Sequence, residues 1–65
     1  MVDGAMKMKK LLITQCPDPF RWYADKIGQH VPFMGDVGTE YRSKEPAGYW
    51  NFVQYVDCEI VEVDE

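Results

Sequence analysis

The residues best suited to nucleophilic chemistry are two cysteines, Cys16 and Cys58, and the only histidine, His30. Nucleophilic catalysis requires a thiol or hydroxyl, a base and an orienting group within hydrogen-bond reach of one another. Asp57 could orient His30 in such a set, but the spacing matches no nucleophile motif. A chain of 65 residues also leaves little room for a cleft that excludes water. We therefore expect no enzymatic activity and predict that His30 is an exposed residue on a strand.

The same residues are the candidates for a metal site. Zinc sites usually use closely spaced pairs such as Cys-x-x-Cys, whereas Cys16, Cys58 and His30 are far apart in the sequence. Residues 35–38 contain two glycines but lack the Lys-Ser/Thr pair and the helix that follow them in a phosphate-binding loop. The sequence thus predicts a turn at 35–38, no metal and no cofactor.

The two cysteines also bear on the compartment. No apolar core of a signal peptide precedes the first strand, and no apolar run is long enough to span a membrane. We therefore expect a cytoplasmic protein with reduced thiols and no membrane partner. Cys16 and Cys58 either remain small buried hydrophobic groups or form a disulfide, if the end of the first strand meets the start of the last.

Aromatic side chains offer a second kind of chemistry, since the chain contains two Trp, four Tyr and three Phe. Small barrels bind single-stranded nucleic acid with exposed rings that lie beside basic residues. The basic residues that could form one such patch are Arg21, Lys26, Arg42 and Lys44. The net charge of −4 opposes general binding to nucleic acid or anionic membranes, so nucleic acid is the alternative partner rather than the expected one.

The expected partner is a protein that packs against an aromatic groove. Tyr23, Trp50 and Tyr55 are its central candidates. The acidic rim is predicted at Asp18, Asp25 and Asp36. The equally weighted alternative is that the rings seal the core or form a homo-oligomer interface. The complete set of predicted binding residues is Trp22, Tyr23, Tyr41, Tyr49, Trp50 and Tyr55.

The stretch that must position these rings is residues 21–33. Gly28 and Pro32 exclude all but a very short helix, so the sequence predicts an irregular loop followed by a strand. Trp22 and Tyr23 are expected to pack on the core with Ile27 beneath them. Gly28 is expected to supply a positive φ or a close backbone approach.

Alternating and apolar runs predict an all-β domain with five strands, at residues 9–16, 29–34, 39–43, 49–53 and 58–63. A short 3₁₀ turn over residues 54–57 is expected before the last strand. Short turns and the lack of an amphipathic helix are typical of a small barrel or a tight meander. Residues 1–7 are predicted to be an unstructured leader or an expression remnant, and residues 8–65 a single domain.

The charges are unevenly distributed along the chain. Lysines precede the first apolar run and acids crowd the end of the sequence: Lys7, Lys9, Lys10, then Asp57, Glu59, Glu62, Asp64 and Glu65. If the first and last strands are neighbours, these charges complement each other across the pair. The alternative is an acidic tail in solvent.

An ordered motif runs through the chain: Trp22-Tyr23, Ile27-Gly28, Phe33, Gly48-Tyr49, Phe52-Val53 and Asp57-Cys58-Glu59-Ile60-Val61. It resembles a group of small uncharacterised phage and prophage proteins that are similar to SH3-like barrels, with five strongly bent strands and a 3₁₀ turn before the last. The resemblance covers residues 11–63 and departs at Pro32, where the family prefers a charged or apolar residue. It implies an SH3-like fold and a phage setting, hence the host cytoplasm, and supplies no established activity. From the small size, the aromatic content and the absence of a catalytic set we expect an accessory protein that binds a host or phage protein, as an inhibitor or a homo-oligomer. The resemblance implies no catalytic residues.

Overall fold

The computed structural model describes residues 7–64. They form six short strands and one 3₁₀ turn, so the predicted all-β class is confirmed. The elements are β1 (Lys7–Ile13), β2 (His30–Pro32), β3 (Gly35–Asp36), β4 (Tyr41–Lys44), β5 (Trp50–Val53), the 3₁₀ turn (Tyr55–Asp57) and β6 (Cys58–Asp64). The 3₁₀ turn precedes the last strand, as the sequence predicted.

The strands form two antiparallel sheets, one with the order β2-β1-β6 and one with the order β3-β4-β5. β1 pairs with β6 along its whole length, from Lys7 opposite Asp64 to Ile13 opposite Cys58. The Lys7 ammonium lies 3.1 Å from the Asp64 carboxylate. The opposite charges of Lys7 and Asp64 therefore complement each other across the strand pair. Asp64 belongs to β6, although its side chain remains exposed.

The predicted second strand, residues 29–34, is divided between the two sheets. β2 belongs to the first sheet and β3 to the second, with Phe33 and Met34 between them. Pro32 has no N–H to continue a ladder, and Gly35 has a φ of 136°, which favours glycine. The described chain therefore has six strands where the sequence predicted five.

Two hydrogen bonds hold the chain at this bend, and the second of them joins the two sheets. The Met34 N–H donates to the Arg42 carbonyl at 2.9 Å, and the Ser43 hydroxyl donates to the Pro32 carbonyl at 2.7 Å. Ser43 is fully buried, and this bond gives its hydroxyl a partner inside the fold.

The long connection between β1 and β2 contains no helix, as predicted, but a series of tight turns. Ala24 N–H donates to the Arg21 carbonyl at 3.0 Å, and Lys26 N–H donates to the Tyr23 carbonyl at 2.9 Å. Gly28 has the expected positive φ, 87°, and returns the chain to β1 through its N–H, which donates to the Ile13 carbonyl at 2.8 Å. Ile27 is 54% exposed, so its predicted place beneath the aromatic pair is wrong.

The core is small and centres on Tyr23, its largest fully buried side chain. Its buried apolar members are Leu11, Ile13, Tyr23, Val31, Val53 and Cys58. The half-buried Cys16 and Trp22 pack against it. Both cysteines are free thiols, so the disulfide alternative is not realised.

The predicted leader, residues 1–7, lies outside the described residues except for Lys7, which begins β1. Between Lys7 and Asp64, the chain contains no helix with both the length and the apolar character needed to cross a membrane.

Candidate functional site

The outer face of the second sheet carries two aromatic and two basic side chains. In β4 and β5, Ser43 and Val53 are fully buried, so the alternate residues of each strand point away from the core. The register places Arg42 opposite Phe52 and Lys44 opposite Trp50. We call Arg42, Lys44, Trp50 and Phe52 the aromatic–basic face.

Arg42 and Trp50 form the centre of this face. The Arg42 guanidinium carbon lies 5.0 Å from the centroid of the Trp50 ring, within the range of a cation–π contact. Trp50 is nevertheless 63% exposed. The Arg42 Nε is buried and has no hydrogen-bond acceptor among residues 7–64. The face therefore combines a large exposed ring with a guanidinium whose donors are incompletely used.

Side-chain hydrogen bonds fix the strand that carries the rings. The Trp22 indole N–H donates to the Phe52 carbonyl at 2.8 Å. The Trp22 ring contacts the Tyr23 ring edge-on, with 5.7 Å between the ring centroids. One residue earlier in β5, the Asn51 side-chain amide donates to the Glu45 carboxylate at 2.7 Å. Because these bonds tie β5 to neighbouring segments, the face needs little ordering when it binds.

The predicted binding residues occupy three different places. Tyr23 is fully buried, so its assignment to a binding groove is wrong and it belongs to the core. Trp22 is half-buried, packs against the core and donates its indole N–H to the Phe52 carbonyl of β5. Tyr49 is 71% exposed. It immediately precedes Trp50, so alternation along the strand directs its side chain to the face of the sheet opposite Trp50.

Tyr41 and Tyr55 belong to a separate ring cluster with Phe33. The Tyr41 ring contacts the Phe33 ring edge-on, with 5.6 Å between their centroids. It also contacts the Tyr55 ring, with 4.6 Å between their centroids. Tyr41 has the same parity in β4 as buried Ser43, so this cluster lies on the inner side of the sheet, opposite Trp50. A groove built from Tyr23, Trp50 and Tyr55 is therefore not assembled. Tyr23 is buried in the core, Tyr55 contacts Tyr41, and Trp50 is exposed on the outer face of β5.

The Tyr55 hydroxyl donates to the Asp36 carboxylate, which also accepts the Gly38 N–H at 2.8 Å. The bond from Tyr55 is the main cause that lowers the pKa of Asp36, and the same bond raises the pKa of Tyr55 to about 12. Of the three predicted rim acids, Asp36 is thus engaged within the fold. Asp25 pairs with Lys26 at 3.5 Å, and Asp18 accepts the Phe20 N–H at 2.9 Å.

Replacing Tyr55 by phenylalanine is expected to raise the pKa of Asp36 toward its ordinary value of 3.8, because the largest stabilising donor is lost. The Gly38 N–H remains, so the return is expected to be partial. A carboxyl-carbon NMR titration measures the change. Tyr41→Phe is the matched control, and an Asp36 pKa that moves equally in both variants would contradict the assignment.

The thiol and histidine of the catalytic hypothesis lie apart. Burial, together with the carboxylates of Asp57 and Glu59, raises the pKa of the Cys58 thiol to about 11, so it is protonated at neutral pH. His30 is exposed on β2, and Leu12 lies between it and Glu59 in the register. Two strand spacings, roughly 10 Å, therefore separate His30 from β6.

Among residues 7–64, no three side chains of the His, Cys, Asp and Glu types lie close enough together to hold a metal ion. The Cys16 thiol donates to the Asp18 carbonyl at 3.1 Å.

The predicted basic patch is split. Lys44 belongs to the aromatic–basic face and also lines a shallow pocket of about 210 Å³ together with Lys26. The other residues of this pocket are Gln29, His30, Val31, Pro32, Glu45 and Pro46. Arg21 lines a different pocket, between the loop after β1 and the 3₁₀ turn. Three members of the predicted patch thus lie on one continuous surface, in which Lys44 connects Arg42 on the face with Lys26 in the pocket.

Of the four residues of the face, the predicted binding set contained Trp50 and the predicted basic patch contained Arg42 and Lys44, whereas Phe52 was in neither. The signal for it was its position two residues after Trp50, which puts both rings on one side of β5. Comparisons of the chain with protein-family models, with curated proteins and with solved structures gave no significant match.

Proposed function

We propose that this protein is an interaction module that binds a protein partner through the aromatic–basic face. The observation that carries the proposal is Trp50, which is 63% exposed although Arg42 and the β5 backbone hold it in place. Exposed Trp and Arg residues on a fixed surface are the side chains that most often dominate the energy of protein interfaces.

The charges on the face define the chemistry of the partner. Arg42 and Lys44 lie side by side with two rings, on a protein whose overall charge is −4. A partner segment that presents carboxylates beside apolar side chains would pair with both components. Trp50 would fill the desolvated centre of the interface, and Lys44 its polar rim.

The fold proposal that accompanies this function is an SH3-like, five-stranded barrel. In it, β2 and β3 are two halves of one bent strand that contributes to both sheets. The two-residue separation of β2 and β3, the hydrogen bonds at the bend and the 3₁₀ turn before β6 support it.

The proposed setting is that of a phage or prophage accessory protein in the host cytoplasm, acting alone or as a homo-oligomer to bind or inhibit a host protein. The support for this setting is the resemblance of the Trp22-Tyr23, Ile27-Gly28 and Asp57-Cys58-Glu59-Ile60 motifs to small phage proteins.

Single-stranded nucleic acid is the second candidate ligand. The specific observation in its favour is that Arg42 and Lys44 flank an exposed indole, with Lys26 and His30 in the adjoining pocket. Bases could stack on Trp50 while the basic side chains contact phosphates. The net negative charge opposes this ligand and would confine it to low salt.

Trp50→Ala is expected to weaken partner binding by at least about 30-fold, since truncation of a central aromatic anchor costs about 2 kcal/mol or more. Affinity capture of a specific host or phage protein, followed by titration calorimetry, measures the loss. Tyr49→Ala is the matched control, because Tyr49 is equally exposed but outside the face. It is expected to bind like the parent protein.

Fluorescence anisotropy with a single-stranded oligonucleotide at low salt separates the two ligands. Salt-sensitive binding that disappears in Trp50→Ala would replace the protein partner by nucleic acid. Retention of protein binding in Trp50→Ala, with thermal stability unchanged, would contradict the proposed face.

A further inference from the structure

We propose that the outer edge of β6 binds a basic, extended segment of a partner protein, which adds to the first sheet as a fourth strand. β6 is the last strand in the order β2-β1-β6 and is seven residues long. Within residues 7–64, no strand pairs with its outer edge. An unpaired edge of this length presents a row of backbone donors and acceptors that another strand can use.

The hydrogen bonds at the start of the ladder indicate which backbone groups face outward. Ile13 N–H donates to the Gln29 carbonyl at 3.0 Å, and Cys58 N–H donates to the Tyr55 carbonyl, so Ile13 and Cys58 face each other without bonding. Bonded and non-bonded pairs alternate in an antiparallel ladder. Glu59, Val61 and Val63 therefore bond to β1, and the backbones of Ile60, Glu62 and Asp64 point outward.

The side chains of β6 select the added strand by charge. Glu62 and Asp64 share one face with Ile60, whereas Glu59 shares the other with Val61 and Val63. Residues opposite these positions would best be basic, apolar, basic, apolar, apolar and basic, counted from Asp64 back to Glu59. The strand that pairs with the other edge, β1, begins in the same way, with Lys7, Met8 and Lys9 opposite Asp64, Val63 and Glu62.

The same charges disfavour a second copy of β6 as the occupant. Two antiparallel copies would bring the acids of one strand beside those of the other, and like charges on neighbouring strands destabilise the pair. A basic segment gains from the same arrangement. The edge of β6 belongs to a different sheet from the aromatic–basic face. Binding at the edge and binding at the face can therefore be tested independently of each other.

The test uses the synthetic hexapeptide Lys-Val-Lys-Val-Ile-Lys as the probe and the full chain labelled for amide NMR. We expect shifts at the amides of Ile60, Glu62 and Asp64 that saturate with peptide and weaken as salt is raised. A peptide with Glu in place of each Lys is the matched control and is expected to leave these amides unchanged.

Two variants separate backbone pairing from charge. Glu62→Pro removes an outward N–H while leaving the bonds of Val61 and Val63 to β1, and it is expected to weaken peptide binding at least about tenfold. Glu62→Gln keeps the N–H and is expected to weaken it about two- to fivefold. If Glu62→Pro disturbs the β1 amides, the comparison rests on Glu62→Gln and the acidic peptide.

The proposal is overturned if none of the β6 amides shifts at millimolar basic peptide. It is also overturned if the basic and acidic peptides bind equally. The competing result is dimerisation that depends on concentration, measured by light scattering. If the β6 amides then shift on dilution and do not shift with peptide, the edge is assigned to a second copy of the chain.

Discussion

Replacing Asp57 by alanine is expected to lower the free energy of unfolding by about 3 kcal/mol, because two hydrogen bonds to a buried carboxylate are lost together. For a chain of 65 residues the total stability is roughly 3–10 kcal/mol, so this single change removes a large part of it. Asp57 is 2% exposed and ends the 3₁₀ turn.

The effect is large because Asp57 connects three parts of the chain. Its carboxylate accepts the buried Tyr23 hydroxyl and, at 3.2 Å, the Gln15 amide. Its backbone carbonyl accepts the Thr14 N–H at 2.8 Å. The end of β1, the irregular loop and the 3₁₀ turn thus meet at one residue, and without its carboxylate the Tyr23 hydroxyl is buried without its acceptor.

Urea denaturation measures the change, with Glu59→Ala as the matched control. Glu59 is an exposed acid two residues further along, and its removal is expected to change stability by less than about 0.5 kcal/mol. Tyr23→Phe removes the donor alone and is expected to cost about 1–2 kcal/mol. In the double variant the two losses should be strongly non-additive. Additive losses, or equal effects of Asp57→Ala and Glu59→Ala, would contradict this account.

The strands and the final turn could be predicted because their signals are local. Alternation places Trp50 and Phe52 on one side of β5. The predicted end of the first strand at residue 16 was wrong, because β1 ends at Ile13, before the prolines at 17 and 19 are reached. The pairing of the first and last strands was also accessible, since the lysines of β1 and the acids of β6 are complementary. The alternation depends on residue type and short spacing, and the strand pairing on complementary charges near the two ends of the described chain.

The division of aromatic residues between core and surface could not be predicted, because it depends on distant partners. Tyr23 is buried since Asp57, 34 residues away, accepts its hydroxyl. Without that acceptor a Tyr beside a Trp is as well suited to a binding surface as to a core. The split between β2 and β3 likewise depends on Ser43, which satisfies the Pro32 carbonyl from another strand.

The protein is expected to lose stability progressively as the pH rises above about 9. Burial is the main cause that raises the pKa of the Cys58 thiol from 9.0 to about 11. Burial, with a further contribution from the bond to Asp57, raises the pKa of Tyr23 above its ordinary value of 10.0. Both groups therefore keep their protons longer in the folded chain than in the unfolded chain.

The sign follows from proton binding. Below pH 9 both groups are protonated in both states, so their contribution to stability is constant and fully present. Above it the unfolded chain releases protons first, the folded chain binds more of them, and the free energy of unfolding falls until the folded pKa values are passed. Each group can contribute a slope of at most about 1.4 kcal/mol per pH unit within its window.

Urea denaturation at a series of pH values between about 7 and 11 measures this decline. Cys58→Ala is expected to flatten its first part, between pH 9 and the value at which tyrosines ionise, because the buried thiol no longer titrates. Cys16→Ala is the matched control, since this half-buried thiol lies at the margin of the core, and it should keep the parent profile. A profile that stays level to pH 11 in the parent protein would show that neither buried group retains its proton, and the packing around Tyr23 and Cys58 would then be looser than the core described above.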